Sequence, residues 1–190
     1  MFSRFGETFE KADFSGKLFE KGEYEDCLFR SCDLNAALLN ASVFLDCRFE
    51  DCNLSLASVS GTAFRNVKFS QCKMLGVLFQ NCNPLGLELS FAHCRLDHSS
   101  FTGLKISKTL FTNCELQEVD FSGADLSECD FQGCDFRDAR FDKTNLSKAD
   151  LRNTRNLQLR PEENSLRGAR LSLQDLPGLL VHHGLNLEGF

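Results

Sequence analysis

Residues 124–151 read "ADLSECDFQGCDFRDARFDKTNLSKADL". A large apolar residue recurs at every fifth position: Leu126, Phe131, Phe136, Phe141, Leu146 and Leu151. A helix repeats near 3.6 residues and a flat strand at 2, so neither produces this spacing. Followed outward, the pattern resolves into two series. Every fifth residue from Phe9 to Phe79 is large and apolar, and so is every fifth residue from Phe91 to Leu151. Together the series hold 16 of the 19 phenylalanines, so the aromatic bias of the chain has a single repeating cause. The intervening stretch "NCNPLGLELSF", residues 81–91, shifts the register by two residues.

The residue two before each large one is usually small, as at Ala12, Cys27, Ala37, Ser42, Thr62, Ala124 and Thr144. In an extended segment these two positions share a side, so both face inward and the residue between them faces out. A straight strand would turn the next large residue outward, which requires a bend in every five-residue unit. The chain must then coil around its own core. From Phe91 to Leu126 the centres alternate Phe with Leu or Ile, a period of ten. Stacked coils bring like residues together only if each coil has an even number of sides, and four is the smallest such number. Twenty residues per coil would stack Phe9, Phe29, Phe49 and Phe69 in one column, with Phe91, Phe111, Phe131 and Phe101, Phe121, Phe141 in two more.

The composition narrows the function. A chain of 190 residues with net charge −6 and no cluster of basic residues lacks the electrostatic footprint of a nucleic-acid binder. The charged N-terminus "MFSRFGETFEKADF" does not read as a signal peptide, and no apolar run is long enough to span a bilayer. The expectation is a soluble, cytoplasmic protein with no membrane partner, in a compartment where thiols stay reduced.

All ten cysteines fall two residues before a centre, including Cys129 and Cys134 in the opening stretch. Zinc sites use paired spacings such as C-x2-C, absent here, so the cysteines read as small buried core residues. His93, His98, His182 and His183 are scattered, and no glycine-rich phosphate loop or nucleophile motif occurs. The sequence predicts a protein that is not an enzyme and carries no metal or other cofactor. The slip at residues 84–91 reads either as a bulge that resets the register or as a small contact loop, with Pro84 unable to donate to a strand ladder.

The opening stretch resembles the A(D/N)LXX motif of the pentapeptide repeat family. That resemblance covers Phe9 to Leu151 and implies an all-β fold, a right-handed quadrilateral parallel β-helix. The domain reading is a β-helix over residues 1–171 and a C-terminal helix and tail over 172–190. In "DLPGLLVHHG", residues 175–184, Asp175 reads as N-cap, Pro177 sits in the first turn, and Gly184 ends the helix. Leu176, Leu179, Leu180 and His183 share one face of it.

The tail, "NLQLRPEENSLRGARLS" (156–172) followed by the leucine-rich helix and "GLNLEGF" (184–190), resembles one subgroup of that family. It comprises the Qnr quinolone-resistance proteins and the immunity proteins McbG and AlbG. "CKMLGV" (72–77) and "LSFAHCRLDHSSFTGL" (89–104) also resemble AlbG. The resemblance implies a homodimer formed through Leu176, Leu179, Leu180, His183, Leu185 and Leu187. It further implies a non-enzymatic DNA mimic that binds a type II topoisomerase, DNA gyrase or topoisomerase IV. The chain has no inserted loop beyond the slip, which favours an inhibitor or immunity protein over a quinolone-protection protein.

Residues 115–150 hold ten acidic groups against four basic ones, a local charge of −6. The candidate acidic surface is Glu118, Asp120, Asp125, Glu128, Asp130, Asp135, Asp138 and Asp142. The aspartates just before a centre have a second reading, because such a side chain can bond to turn backbone. A reading from another class stays open: a generic interaction scaffold unrelated to topoisomerases.

Overall fold

The computed structural model describes residues 2–185. The chain winds into a parallel β-solenoid whose four sides are marked by four lateral ladders. The first side begins with β2 (Thr8–Glu10), β4 (Leu28–Arg30), β6 (Arg48–Glu50), β8 (Val67–Ser70), β9 (Leu89–Ala92) and β10 (Leu110–Thr112). These form a six-stranded parallel sheet. Single bridges then carry its ladder onward from Leu110 through Asp130 and Asp150 to Arg170. An adjacent side is a four-stranded sheet of β1 (Phe2–Phe5), β3 (Gly22–Glu25), β5 (Val43–Leu45) and β7 (Ala63–Arg65). The two remaining sides are ladders of single bridges, one running from Asp13 to Arg155 and the other from Leu18 to Arg140.

The bend required in each five-residue unit is made by the residue two after a centre. Lys11, Asp26, Ser31, Ala36, Asp46, Glu118, Glu128 and Asp138 all have φ between 51° and 60° there. Left-handed backbone disfavours side chains with a Cβ, yet most of these corners carry one. Lateral hydrogen bonds compensate, the N–H of every one of these corners except Asp138 donating to the next coil, as Ala36 does to the Ser55 carbonyl at 2.8 Å.

Inside, the rings stack as the period demands. Phe9, Phe29, Phe49 and Phe69 lie face to face at centroid separations of 4.7, 4.6 and 5.0 Å. The sequence reading placed Phe91, Phe111 and Phe131 in a separate column, and the structure corrects this. Phe91 stacks on Phe69 at 5.4 Å, and the same column continues through Phe111 to Phe131. Phe79, Phe101, Phe121 and Phe141 form another column at 4.6, 5.4 and 5.4 Å.

The slip preserves the column because it is absorbed outside the core. The register is twenty residues at Ala63–Asn83 and twenty-two at Val67–Leu89, so the two extra residues lie between Asn83 and Leu89. Pro84, Leu85 and Gly86 are exposed there, while Leu87 packs against the core. Pro84 therefore does not take a core place, and the register resets across this exposed stretch.

The far end is closed by a 3-10 turn (Leu173–Asp175), helix α1 (Pro177–Leu180) and a second 3-10 turn (Val181–His183), with Gly184 left-handed at φ 64°. Asp175 is not the N-cap expected of it. It sits inside the first turn, where its carboxylate accepts the Ser172 N–H at 2.8 Å. The Ser172 hydroxyl instead accepts the Asn153 N–H at 3.2 Å, tying the cap to the last coil. Gly178 lies against the Leu157 carbonyl where no Cβ would fit, and its own carbonyl accepts the Leu159 N–H at 3.3 Å.

Candidate functional site

The eight candidate acids separate into two structural kinds. Asp120, Asp125, Asp130 and Asp135 each precede a centre, and each carboxylate accepts the N–H of the residue two further on, at 2.9–3.1 Å. Asp135 is buried, accepts a further bond from the Asn156 amide at 2.7 Å, and faces Arg155 at 3.6 Å. Its pKa is lowered: burial opposes ionisation, but Asn156, the Arg137 N–H and Arg155 together overcome it. These four carboxylates hold corners of the solenoid. Glu118, Glu128, Asp138 and Asp142 are exposed, and among the described residues only Glu118 and Glu128 face a basic group, His98 and Lys148 respectively.

The structure does not bring the eight together on one side. Asp120, Asp125, Asp130 and Asp135 lie on four different ladders. Three of the eight do converge: Glu118, Asp120 and Asp138 line one shallow depression with His98, Ser99, Ser100 and Arg140. His98 stands 3.3 Å from Glu118 there. Basic residues also interrupt the acids along the rod. Lys105 pairs laterally with Asp125, and Asp120 with Arg140. Arg95 bonds to Glu115 at 2.7 Å, and Lys148 lies 3.9 Å from Glu128.

All ten cysteines are free and buried, as the inward ladder requires. All but Cys82 and Cys114 donate to a carbonyl of the preceding coil, as Cys52 does to Phe29 and Cys72 to Phe49 at 3.3 Å each. Thr62 and Thr144 make the same bond with a hydroxyl, to Leu39 at 2.8 Å and Phe121 at 2.9 Å. This position takes small residues, alanine as well as the donors Cys, Ser and Thr, and that accommodates the cysteine content. Burial pushes the Cys47 and Cys129 thiols up to about 12 and Cys82 up to about 11, leaving them poor nucleophiles at neutral pH. Among the described residues, no three His, Cys, Asp or Glu side chains converge as a metal site would need.

At the C-terminal cap, Leu179 packs on the core and Leu180 is half-buried. Leu176 and Leu185 are exposed, and so is His183, which reaches Glu162 at 4.0 Å. Leu187 lies outside the described residues. The shared helical face expected of Leu176, Leu179, Leu180 and His183 is therefore split between core and solvent. Sequence reasoning missed Leu173 and Val181, which are exposed beside Leu176 and Leu185. It also missed a row of exposed leucines near the other end, Leu18, Leu38 and Leu78 on one ladder side with Leu56 at its corner. The available signal was leucine in the outward place just before a centre.

No helix among the described residues is long and apolar enough to cross a membrane. No curated protein sequence matches the chain significantly. Among solved structures, two trypsin-treated forms of QnrB1, a plasmid-mediated fluoroquinolone resistance protein, align closely. One has a TM-score of 0.64 at 19% identity, covering 97% of each chain. The other has the same TM-score at 18% identity, covering 98% of this chain and 99% of QnrB1. HetL, a pentapeptide repeat protein involved in heterocyst differentiation regulation in the cyanobacterium Nostoc, aligns at a TM-score of 0.45 and 16% identity, over 90% of this chain and 84% of its own. At such identities the likeness is one of fold. Family models for pentapeptide repeats match residues 114–153, in eight copies, and for a pentapeptide repeat region residues 22–84. The two matches together span more than half of a chain whose ladders, corners and inward rows repeat every five residues, and the chain belongs to the pentapeptide repeat proteins.

Proposed function

We propose that this protein is a non-enzymatic, dimeric rod that binds a type II topoisomerase, DNA gyrase or topoisomerase IV, in place of DNA. The observation that carries the reading is the distribution of acids on a rigid scaffold. Nine of the ten carboxylates between residues 115 and 150 are partly or fully exposed, Asp135 being the buried one. Four of them, Glu118, Glu128, Asp138 and Asp142, are exposed on the half nearer the cap. The fold likeness to QnrB1 and the tail resemblance to its subgroup point the same way.

The dimer is proposed to form end to end through the cap. Leu173, Leu176, Val181 and Leu185 present apolar surface there that a second copy would bury. Such an arrangement places the acidic coils of both copies near the middle of a doubled rod. In solution the protein should then run at twice its 21.4 kDa mass. Truncation before Ser172 should remove that state, and a clean dimer of the truncated chain would refute this role for the cap.

A supercoiling assay tests the function. The protein in stoichiometric excess should inhibit gyrase or topoisomerase IV, or relieve a poison of either enzyme. Substituting Glu118, Glu128, Asp138 and Asp142 by Lys should raise the half-inhibitory concentration by about tenfold or more, the equivalent of ~1.4 kcal/mol. No effect of the wild-type protein in either format would end the proposal. An unchanged variant would move the contact to another surface.

A second reading is favoured by one observation. Lys105, Arg140, Lys148 and Arg155 interleave with the acids, and exposed leucines line another part of the rod. A mixed surface of that kind suits an interaction scaffold for a protein partner unrelated to DNA topology. Capture of such a partner, with no topoisomerase effect, would establish it.

A further inference from the structure

One inner corner of the solenoid is lined almost entirely by sulfur. Cys32, Cys52, Cys72, Cys94, Cys114 and Cys134 occupy the same inward place on successive coils, beside the ladder Asp33, Asn53, Lys73, Arg95, Glu115 and Asp135. Each of these cysteines immediately precedes a rung of that ladder, so the column steps one coil at a time from Cys32 to Cys134. The Cys52 sulfur also lies 3.4 Å from the Cys32 backbone nitrogen. The slip does not break the column, because its two extra residues are taken up at another corner. Of the four remaining thiols, Cys27 and Cys47 stand one coil apart as a separate pair, whereas Cys129 lies between Thr109 and Ala149, and Cys82 follows Thr62.

We propose that this column is a binding site for soft monovalent d10 cations of the Cu(I) and Ag(I) class, each held linearly between the sulfurs of adjacent coils. Coil spacing is roughly 4.8 Å, and a metal–sulfur bond is about 2.3 Å. Two such bonds in line therefore span one rung. Soft cations select sulfur over the carbonyl oxygens that share the corner. Tetrahedral zinc needs four converging ligands, and no three donors converge among the described residues. Two-coordinate bonding is the geometry a single file of sulfur offers.

The charge balance suits a buried place. As a cation enters, one thiol of a pair loses its proton to solvent and becomes the thiolate ligand, while its neighbour donates a sulfur lone pair with its proton retained. One positive charge enters and one leaves, so the core stays neutral and avoids the cost of an unpaired buried ion. No electron transfer is involved. The column opens toward the N-terminal end, where Ala12 is the small residue beneath Cys32 and neighbouring Phe9 and Phe14 are only half-buried. Thr154, bonded to the Leu151 carbonyl at 3.0 Å, closes the other end.

Hydroxyl residues already serve at equivalent inward positions, as Thr62, Ser99 and Thr144 do, so serine replacements suit the fold. The test uses reduced, full-length protein titrated with Ag(I) under anaerobic conditions. Uptake is followed by native mass spectrometry and charge-transfer absorbance, with proton release and thermal unfolding measured in parallel. The expected result is stoichiometric uptake by folded protein with ~1 proton released per ion. At a free concentration about 100-fold above Kd, the melting temperature should rise by about 5–10 °C. Replacing Cys72 and Cys94 together by Ser should reduce the number of ions bound and most of that rise, whereas replacing Cys82 and Cys129 by Ser should change neither. A melting temperature that falls with Ag(I) would mean that the ion captures thiols of the unfolded chain, and would overturn the proposal. So would unchanged uptake by the Cys72→Ser/Cys94→Ser variant, or no uptake by the wild type.

Discussion

Replacing Phe111 by Ala tests whether the ring column carries the stability of the rod. Phe111 is fully buried, sandwiched between Phe91 and Phe131 at 5.0 Å each, with Phe101 and Phe121 edge-on at 5.8 and 6.1 Å. Burying a Phe is worth about 1.5–3 kcal/mol, and each aromatic contact adds about 0.5–1.5 kcal/mol. The rings above and below are pinned by the backbone ladder and cannot close over the gap. The cost should therefore reach the upper end of the usual range for Phe→Ala, about 5 kcal/mol. In a chain of this length that corresponds to a drop of about 10–20 °C in Tm. Phe9 provides the internal comparison, because it is only half-buried and has a stacked partner on one side alone, Phe29 at 4.7 Å. Phe9→Ala should cost about 1–2 kcal/mol. Urea unfolding followed by far-ultraviolet circular dichroism would measure both, with unchanged m-values as the control. Equal costs for the two variants, or a Phe111→Ala cost below about 1 kcal/mol, would refute the reasoning.

Gly178→Ala should detach the cap, since the added Cβ would fall on the Leu157 carbonyl. The expected result is a loss of about 1–3 kcal/mol and a shift in oligomeric state, read by unfolding and light scattering. Asp150 should contribute a pH-dependent share of stability. Its carboxyl is held below the usual range by the Arg152 hydrogen bonds at 2.7–2.8 Å, despite partial burial, and by Arg170 at 3.2 Å. A lowered folded pKa makes that contribution complete above the unfolded value near 3.9. It is lost as pH falls through the folded pKa. Asp150→Asn should flatten the acid limb of the stability curve below about pH 4 and leave its shape near pH 7 unchanged.

The fold was legible because its signal repeats. The five-residue rows from Phe9 and Phe91 fix which side chains face in, and the alternation of Phe with Leu gives an even number of sides. The continuity of the ring column was not legible. Whether Phe91 continues the Phe69 stack or starts another depends on where the two extra residues are absorbed, and only the lateral pairing of Val67 with Leu89 reveals that. The Asp175 assignment failed for a similar reason: Ser172 sits three residues earlier, and the backbone bond it makes to Asp175 moves the turn upstream. At the candidate site, the turn-bonding role of Asp120, Asp125, Asp130 and Asp135 follows from their place before a centre. The interleaving of acids with Arg140, Lys148 and Arg155 could have been read by comparing positions one coil apart. Counting charge along the chain merges residues that the solenoid distributes to different sides.

The unbroken ladder from Thr8 to Arg170 also makes the length of the rod a quantised property. Removing a twenty-residue segment from the interior rejoins like corner to like corner, so each side keeps its inward rows and the rod shortens by one step of roughly 4.8 Å. Duplicating a segment lengthens it by the same step. Any partner that touches the rod at two separated points is thereby measured against a ruler whose divisions are single coils, and length can vary in such increments without a change of fold.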